Sequence, residues 1–329
     1  MRRREFITLL GGAAAASSVS WPLTARAQQP AMPVIGFLRS TSLANTTQLV
    51  SAFRQGLKET GFIEGQNVAV EYHSAEGHPD RLRALAADLI RRPVAVIAAN
   101  GIAALAAKAA TTTVPIVFAT GGDPVAQGLV ASFNRPGGNV TGVSFFAGVL
   151  GAKRLELLRQ LVPKATTIAM LVNPNTAETE VERRDVQAAA QAIGQQLLML
   201  DVSSDRDIEA AFATFVQHGA GALLVGAGTF TFSHRERIVA LAARHALPAN
   251  FSSREAALVG GLMGYAGDQR GAYHQVGIYA GRILKGDKPG DLPVVQSTQF
   301  ELVINLKTAK ALGLEFHPQL LATVDEVIE

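Results

Sequence analysis

The chain of 329 residues has no cysteine. That excludes disulfide scaffolds, thiolate zinc sites, iron–sulfur clusters, thiol nucleophiles and cysteine-linked lipid anchors. Aromatic residues are scarce at 6%, and the single tryptophan, Trp21, lies near the N-terminus. Large glycans usually stack on Trp or Tyr faces, so such a ligand is disfavoured. Charge of one sign is missing too. The formal net charge is +3, and residues 1–27 supply all of it: Arg2, Arg3, Arg4 and Arg26 against Glu5. The remainder carries 26 Lys and Arg (30 less 4) against 26 Asp and Glu (27 less 1). A neutral body has no electrostatic reason to seek phosphate backbones or anionic lipid.

Catalytic signatures are also absent. There is no G-x-S-x-G elbow, no G-x-x-x-x-G-K-[ST] loop and no G-x-G-x-x-G opening a helix after the first strand. Gly226-Ala227-Gly228 begins like a dinucleotide loop, but Thr231 stands where the third glycine is needed. The seven histidines show no paired metal spacing, so neither a metal nor a cofactor is expected, and the chain reads as a non-enzyme.

What is present begins with an address. Arg3-Arg4-Glu5-Phe6-Ile7 resembles the twin-arginine pattern, a mild Ala- and Gly-rich stretch follows, and Ala25-Arg26-Ala27 is a small-x-small cleavage signal. The expectation is export by the twin-arginine or general machinery, cleavage after Ala27 and a periplasmic location.

From Pro33 onward, short β-branched runs alternate with helical patterns, the signature of parallel βαβ units. Strands are read at Val34–Leu38, Val68–Tyr72, Val94–Ala98 and Pro115–Phe118. After the turn Asn134-Arg135-Pro136-Gly137-Gly138-Asn139 the pattern restarts, with strands at Thr167–Val172, Leu197–Asp201, Ala222–Val225 and Pro248–Phe251. The closing helix Gly271–Lys285 and the β-rich Val294–Leu306 cannot bury themselves, so they must complete earlier lobes. The fold class is therefore α/β: two doubly wound parallel-sheet lobes joined by a three-segment hinge. The division expected is 1–27 signal peptide, 32–142 plus 268–296 lobe 1, and 143–267 plus 297–329 lobe 2.

In open parallel sheets, ligands bind outside the carboxyl ends of the strands. In this chain those ends carry Ser40, Thr41 and Ser42, then Asn100 and Gly101, then Thr120, Gly121 and Asp123. In the second half they carry Asn173, Asn175 and Thr176, then Gly228 and Thr229, then Phe251, with Phe146 at a crossing. Hydroxyls, amides and glycines with one carboxylate suit a small polar ligand, although the same residues also cap helices.

Gly121-Gly122-Asp123-Pro124-Val125, Arg135-Pro136-Gly137-Gly138-Asn139, Gly151-Ala152-Lys153-Arg154-Leu155-Glu156, Gly260-Gly261-Leu262-Met263 and the runs from Tyr279 and Phe300 carry a resemblance. Together they resemble the ABC-transporter substrate-binding proteins related to tryptophan/tyrosine-type binding proteins, with a type I periplasmic binding fold. The resemblance implies two lobes that close on an amino acid or small carboxylate-like molecule and deliver it to an ABC permease. It departs at Gly228-Thr229, where relatives tend to carry an acidic residue followed by Pro, and at Asn250-Phe251-Ser252-Ser253, where many are aromatic-rich. Losing that carboxylate weakens the case for a ligand α-amino group. Two rivals remain: a periplasmic sensor for a membrane receptor, and an exported oxidoreductase. A lac-repressor-type regulator would need DNA-binding helices where this chain has a leader.

Overall fold

A computed structural model describes residues 32–145, 150–176 and 178–329. The first lobe is built in chain order from β1 (Val34–Arg39), α1 (Thr47–Glu59), β2 (Ala69–Ser74), α2 (Leu82–Ile90), β3 (Val94–Asn100), α3 (Gly101–Ala110), β4 (Ile116–Thr120) and β5 (Val140–Ser144). Apolar residues without charge dominate β1, β3 and β4, as strands covered on both faces require. In α1, Leu49, Val50, Phe53 and Leu57 are buried at helical spacing, which lays one face on the sheet.

The second lobe repeats the plan. It comprises α4 (Gly151–Leu161), β6 (Thr167–Val172), α5 (Thr179–Ala192), β7 (Gln196–Asp201), α6 (Asp205–Gln217), β8 (Ala222–Val225), α7 (Thr229–Ser233), α8 (Arg235–Arg244), β9 (Ala249–Phe251), α9 (Arg254–Leu258) and β10 (Met263–Gly267). With three later strands, β11 (Val295–Gln296), β12 (Phe300–Asn305) and β13 (Glu326–Ile328), the first sheet runs β11-β5-β4-β3-β1-β2 and the second β13-β12-β10-β9-β8-β6-β7. Stripped of the last strands, both follow one doubly wound order, with the first strand of each lobe between its second and third.

The C-terminal elements divide between the lobes. Helix α10 (Gln269–Leu284) and β11 (Val295–Gln296) join the first, while β12 (Phe300–Asn305), α11 (Leu306–Ala311), α12 (Pro318–Leu321) and β13 (Glu326–Ile328) join the second. The β-rich run Val294–Leu306 is thus two strands in two sheets. β12 pairs antiparallel with β10, the one exception to parallel pairing among the described strands. It enters its sheet from the hinge, where β10 has just ended, so it must run the opposite way.

The chain passes between sheets three times: after β5, after β10 and after β11. These segments lie side by side, with Ser297 N donating to Ser144 O at 2.8 Å and Asp268 N to Gln299 O at 3.0 Å. Asp268 also caps α10, its carboxylate accepting from Gly271 N at 2.8 Å.

Helix α10 crosses α1 at close quarters. A Cβ on Gly277 would overlap the Phe53 carbonyl oxygen and lie 2.7 Å from Leu57 N, and one on Gly56 would overlap the His274 carbonyl. These obstacles are backbone and cannot rotate away. Gly277→Ala is therefore expected to cost about 3 kcal/mol of stability by urea unfolding, the upper end of overpacking. A cost within about 0.5 kcal/mol, ordinary for a surface change, would contradict this packing.

Candidate functional site

The carboxyl ends of β1, β3 and β4 face those of β8 and β9 across a cavity of about 100 Å³. Of the residues expected to bind ligand, Thr41, Asn100, Gly101, Thr120, Gly121, Thr176, Gly228 and Thr229 line it. Ser40 lies behind: Asn100 Oδ1 accepts from Ser40 N at 2.9 Å, and Asn100 Nδ2 donates to Ser40 Oγ at 2.7 Å.

Other expected residues do not line it. Asp123 is exposed, and its Oδ1 accepts from Val125 N at 2.8 Å and Ala126 N at 3.2 Å. It caps a turn, as Asp before Pro often does. Ser42 turns to the Glu76 carboxylate. Asn173 Nδ2 donates to Val202 O at 2.7 Å, and its Oδ1 accepts from Asn175 N at 3.0 Å, an Asx turn that occupies both residues. Phe251 packs into the second lobe's core. Phe146 lies outside the described residues, as do Arg3, Arg4, Ala25 and Ala27 of the leader.

Sequence reasoning missed several lining residues, notably Gln127, Glu178, Gln269 and Tyr273; the rings Phe145 and Phe232, which the sequence places at or near hinge and cleft positions, line the cavity too. In the sequence Tyr273 falls on the apolar face of the helix read at Gly271–Lys285, with Val276, Ala280, Ile283 and Leu284. The only available signal was that this helix starts at the hinge.

The first-lobe wall holds a buried cation. Arg39 is only 4% exposed, and its Nε and Nη2 donate to Thr41 Oγ1 at 3.3 and 2.9 Å. Its Nη1 donates to the Tyr273 hydroxyl, and the guanidinium lies 5.2 Å from that ring's centre. No described carboxylate pairs with it. Burial pushes the Tyr273 hydroxyl above its ordinary range, with Arg39 opposing, so it stays protonated.

The second-lobe wall holds a carboxylate. Glu178 lies just before α5, half-buried, and accepts from the Gln127 amide, whose Oε1 accepts from Thr120 Oγ1 at 3.0 Å. This chain of bonds joins the two lobes. Loss of water raises the Glu178 carboxyl above its usual range, and the Gln127 amide and its own backbone N–H offset only part of that.

Behind the 226–229 loop, Arg154 and Glu182 form a fully buried ion pair. Burial lowers the Arg154 guanidinium to about 9, still protonated at neutral pH, and Glu182 is its counter-ion. Glu182 Oε2 also accepts from Ala227 N at 2.7 Å, fixing the loop that lines the cavity. At Gly228 φ is +144°, a conformation side chains resist, with Thr176 packed against its Cα. Among the described residues no three His, Asp or Glu side chains gather as a metal site would need. No described helix is long and apolar enough to cross a membrane. A larger open groove of about 910 Å³ runs along β12, flanked by Lys153, Tyr265 and Gln319, away from the facing strand ends.

A hinged pair of doubly wound lobes around a cavity lined from both defines a type I periplasmic binding fold. The chain belongs to the ABC transporter substrate binding protein family, which it matches over residues 32–328. It is 26% identical over 265 residues to a tyrosine-binding protein of Clostridioides difficile (strain R20291), covering 80% of this chain and 76% of the relative. An ABC domain of Streptococcus pneumonia in complex with L-Trp superimposes with a TM-score of 0.81 at 25% identity, covering 90% of this chain and 99% of the other. The ligand-free, open structure of a substrate binding protein with adhesive properties from Clostridium difficile gives 0.67 at 24% identity, with the same coverage.

The raised Glu178 pKa has a stability consequence. A carboxyl with a higher pKa in the folded chain destabilises it as pH rises through that value, and not below its unfolded value of about 4.3. Ligand-free Glu178→Gln is therefore expected to melt above the parent at neutral pH, the gap closing as the pH falls below that range. A variant less stable than the parent at neutral pH would contradict this.

Proposed function

We propose that this chain is an exported solute-binding protein that captures a small polar ligand, an amino acid or small carboxylate-like molecule, between its lobes. The loaded form then delivers the ligand to an ABC permease at the outer face of the inner membrane. One observation carries the reading: a single cavity lined by the strand-end loops of both lobes, at the mouth of a three-segment hinge. A binding site split between two bodies couples occupancy to closure, because the ligand completes contacts that neither lobe makes alone. The leader, with Arg3-Arg4 and a cleavage signal at Ala25 to Ala27, supports export. The names of the tyrosine-binding relative and of the L-Trp complex support an amino-acid-like ligand.

The test is a thermal-shift titration of the chain from Gln28 onward against amino acids, small carboxylates, purines and sugars. Detection uses dye or circular dichroism, because the only tryptophan is Trp21. One ligand class is expected to raise the midpoint in a concentration-dependent way. A micromolar site stabilises the folded state by about 4 kcal/mol at a thousandfold excess over Kd. No shift with any compound, together with no small molecule released on denaturation, would contradict the proposal.

A further inference from the structure

We propose that Glu178 and the Arg39-backed hydroxyls of Thr41 and Tyr273 are the two charge seats of one ligand, so that the cavity selects a zwitterion. The inference rests on the binding-protein reading and asks what that cavity recognises.

The first seat follows from hydrogen-bond direction. Arg39 only donates, so Thr41 Oγ1 and the Tyr273 hydroxyl must accept from it. Each hydroxyl has one proton, and that proton then points away from the guanidinium. Both residues line the cavity. Two O–H donors, polarised from behind by a buried cation, form a seat for a carboxylate. A buried guanidinium without a counter-ion is costly, and no described carboxylate supplies one. A ligand anion offsets that cost.

The second seat has the opposite sign. Glu178 also lines the cavity, from the other lobe, and is held by the Gln127 amide with no described cation within ion-pair distance. A ligand ammonium is the missing partner. Of the other charges nearby, Arg154 and Glu182 are paired with each other behind the 226–229 loop, and Arg235 lies over the Phe232 ring at 4.7 Å and pairs with Glu236 at 3.7 Å. Ile102, Phe145 and Phe232 line the same cavity and offer an apolar surface to the rest of the ligand. The carboxylate that Gly228-Thr229 lacks is thus supplied by Glu178, from a different loop.

The experiment measures Kd for the full chain by calorimetry with each proteinogenic L-amino acid, then with the des-amino acid and the decarboxylated amine matching the tightest binder. Succinate, ribose and adenine serve as ligands without paired charges. The amino acid is expected to bind about 100-fold more tightly than either single-charge analogue. Glu178→Gln should weaken the amino acid by about 10- to 100-fold and leave the des-amino acid within about 3-fold. Tyr273→Phe should do the reverse, weakening the amino acid and des-amino acid about 10-fold while sparing the amine. The analogue series on the unaltered chain stands even if a variant folds poorly. A tightest ligand without an amino group, or a Glu178→Gln loss shared equally by all three compounds, would overturn the inference and leave the binding-protein reading intact. Binding of no compound at all would overturn both.

Discussion

The return of α10 to the first lobe is the constraint on which the rest of the structure depends. After β10 the chain has finished a second doubly wound sheet, yet its next helix packs against α1, with Gly56 and Gly277 letting the two backbones touch. That one packing choice forces a second crossing and then a third. It makes a three-stranded hinge of what would otherwise be a linker. It also carries Tyr273 to the end of β1, where the ring covers Arg39. The hinge and the cavity wall are therefore products of the same contact.

Much of the fold was legible in the sequence, and the reason is periodicity. Val34–Arg39, Val94–Asn100 and Thr167–Val172 are buried on both faces, so they read as continuous apolar runs, and the helices between them repeat at 3.6 residues. β5 and β10 were harder. Gly142, Gly264 and Gly267 interrupt their apolar pattern because other backbone or ring atoms come too close for a side chain. Pairing of β5 with β4 and β11, and of β10 with β9 and β12, is what defines them as strands. The site was half legible for a similar reason. Hydroxyls and amides at strand ends are local, so Thr41, Asn100 and Thr120 could be named. Tyr273 and Glu178 reach the cavity through tertiary packing, which no local pattern encodes. Asp123 misled because Asp-Pro serves a turn as readily as a ligand.

The cavity combines costs that a purely structural interior would avoid. A guanidinium sits buried with no counter-ion among the described residues on one side, a carboxylate is stripped of water on the other, and Gly228 is held in a backbone conformation that side chains resist. Stability given up at a cleft is a common signature of a site completed by its ligand. The buried Arg154–Glu182 pair differs in kind: its charges are matched, and it acts on the site by fixing the Ala227 amide. Across the rim, Arg254 of the second lobe donates to Gln48 Oε1 of the first at 3.1 Å, while beside the hinge Arg270 donates to Glu301 Oε1 at 2.6 Å.

The central claim is that the two lobes close on a ligand. The absence of native cysteine makes this directly measurable, since Thr47→Cys in α1 and Leu258→Cys in α9 place one spin label on each lobe near that rim. Pulsed electron–electron distance measurement is predicted to give a broad, longer distribution without ligand and a narrow, shorter one at saturating ligand. A distribution unchanged by a ligand that demonstrably binds would contradict closure, and with it the account of the cavity as a site shared between lobes.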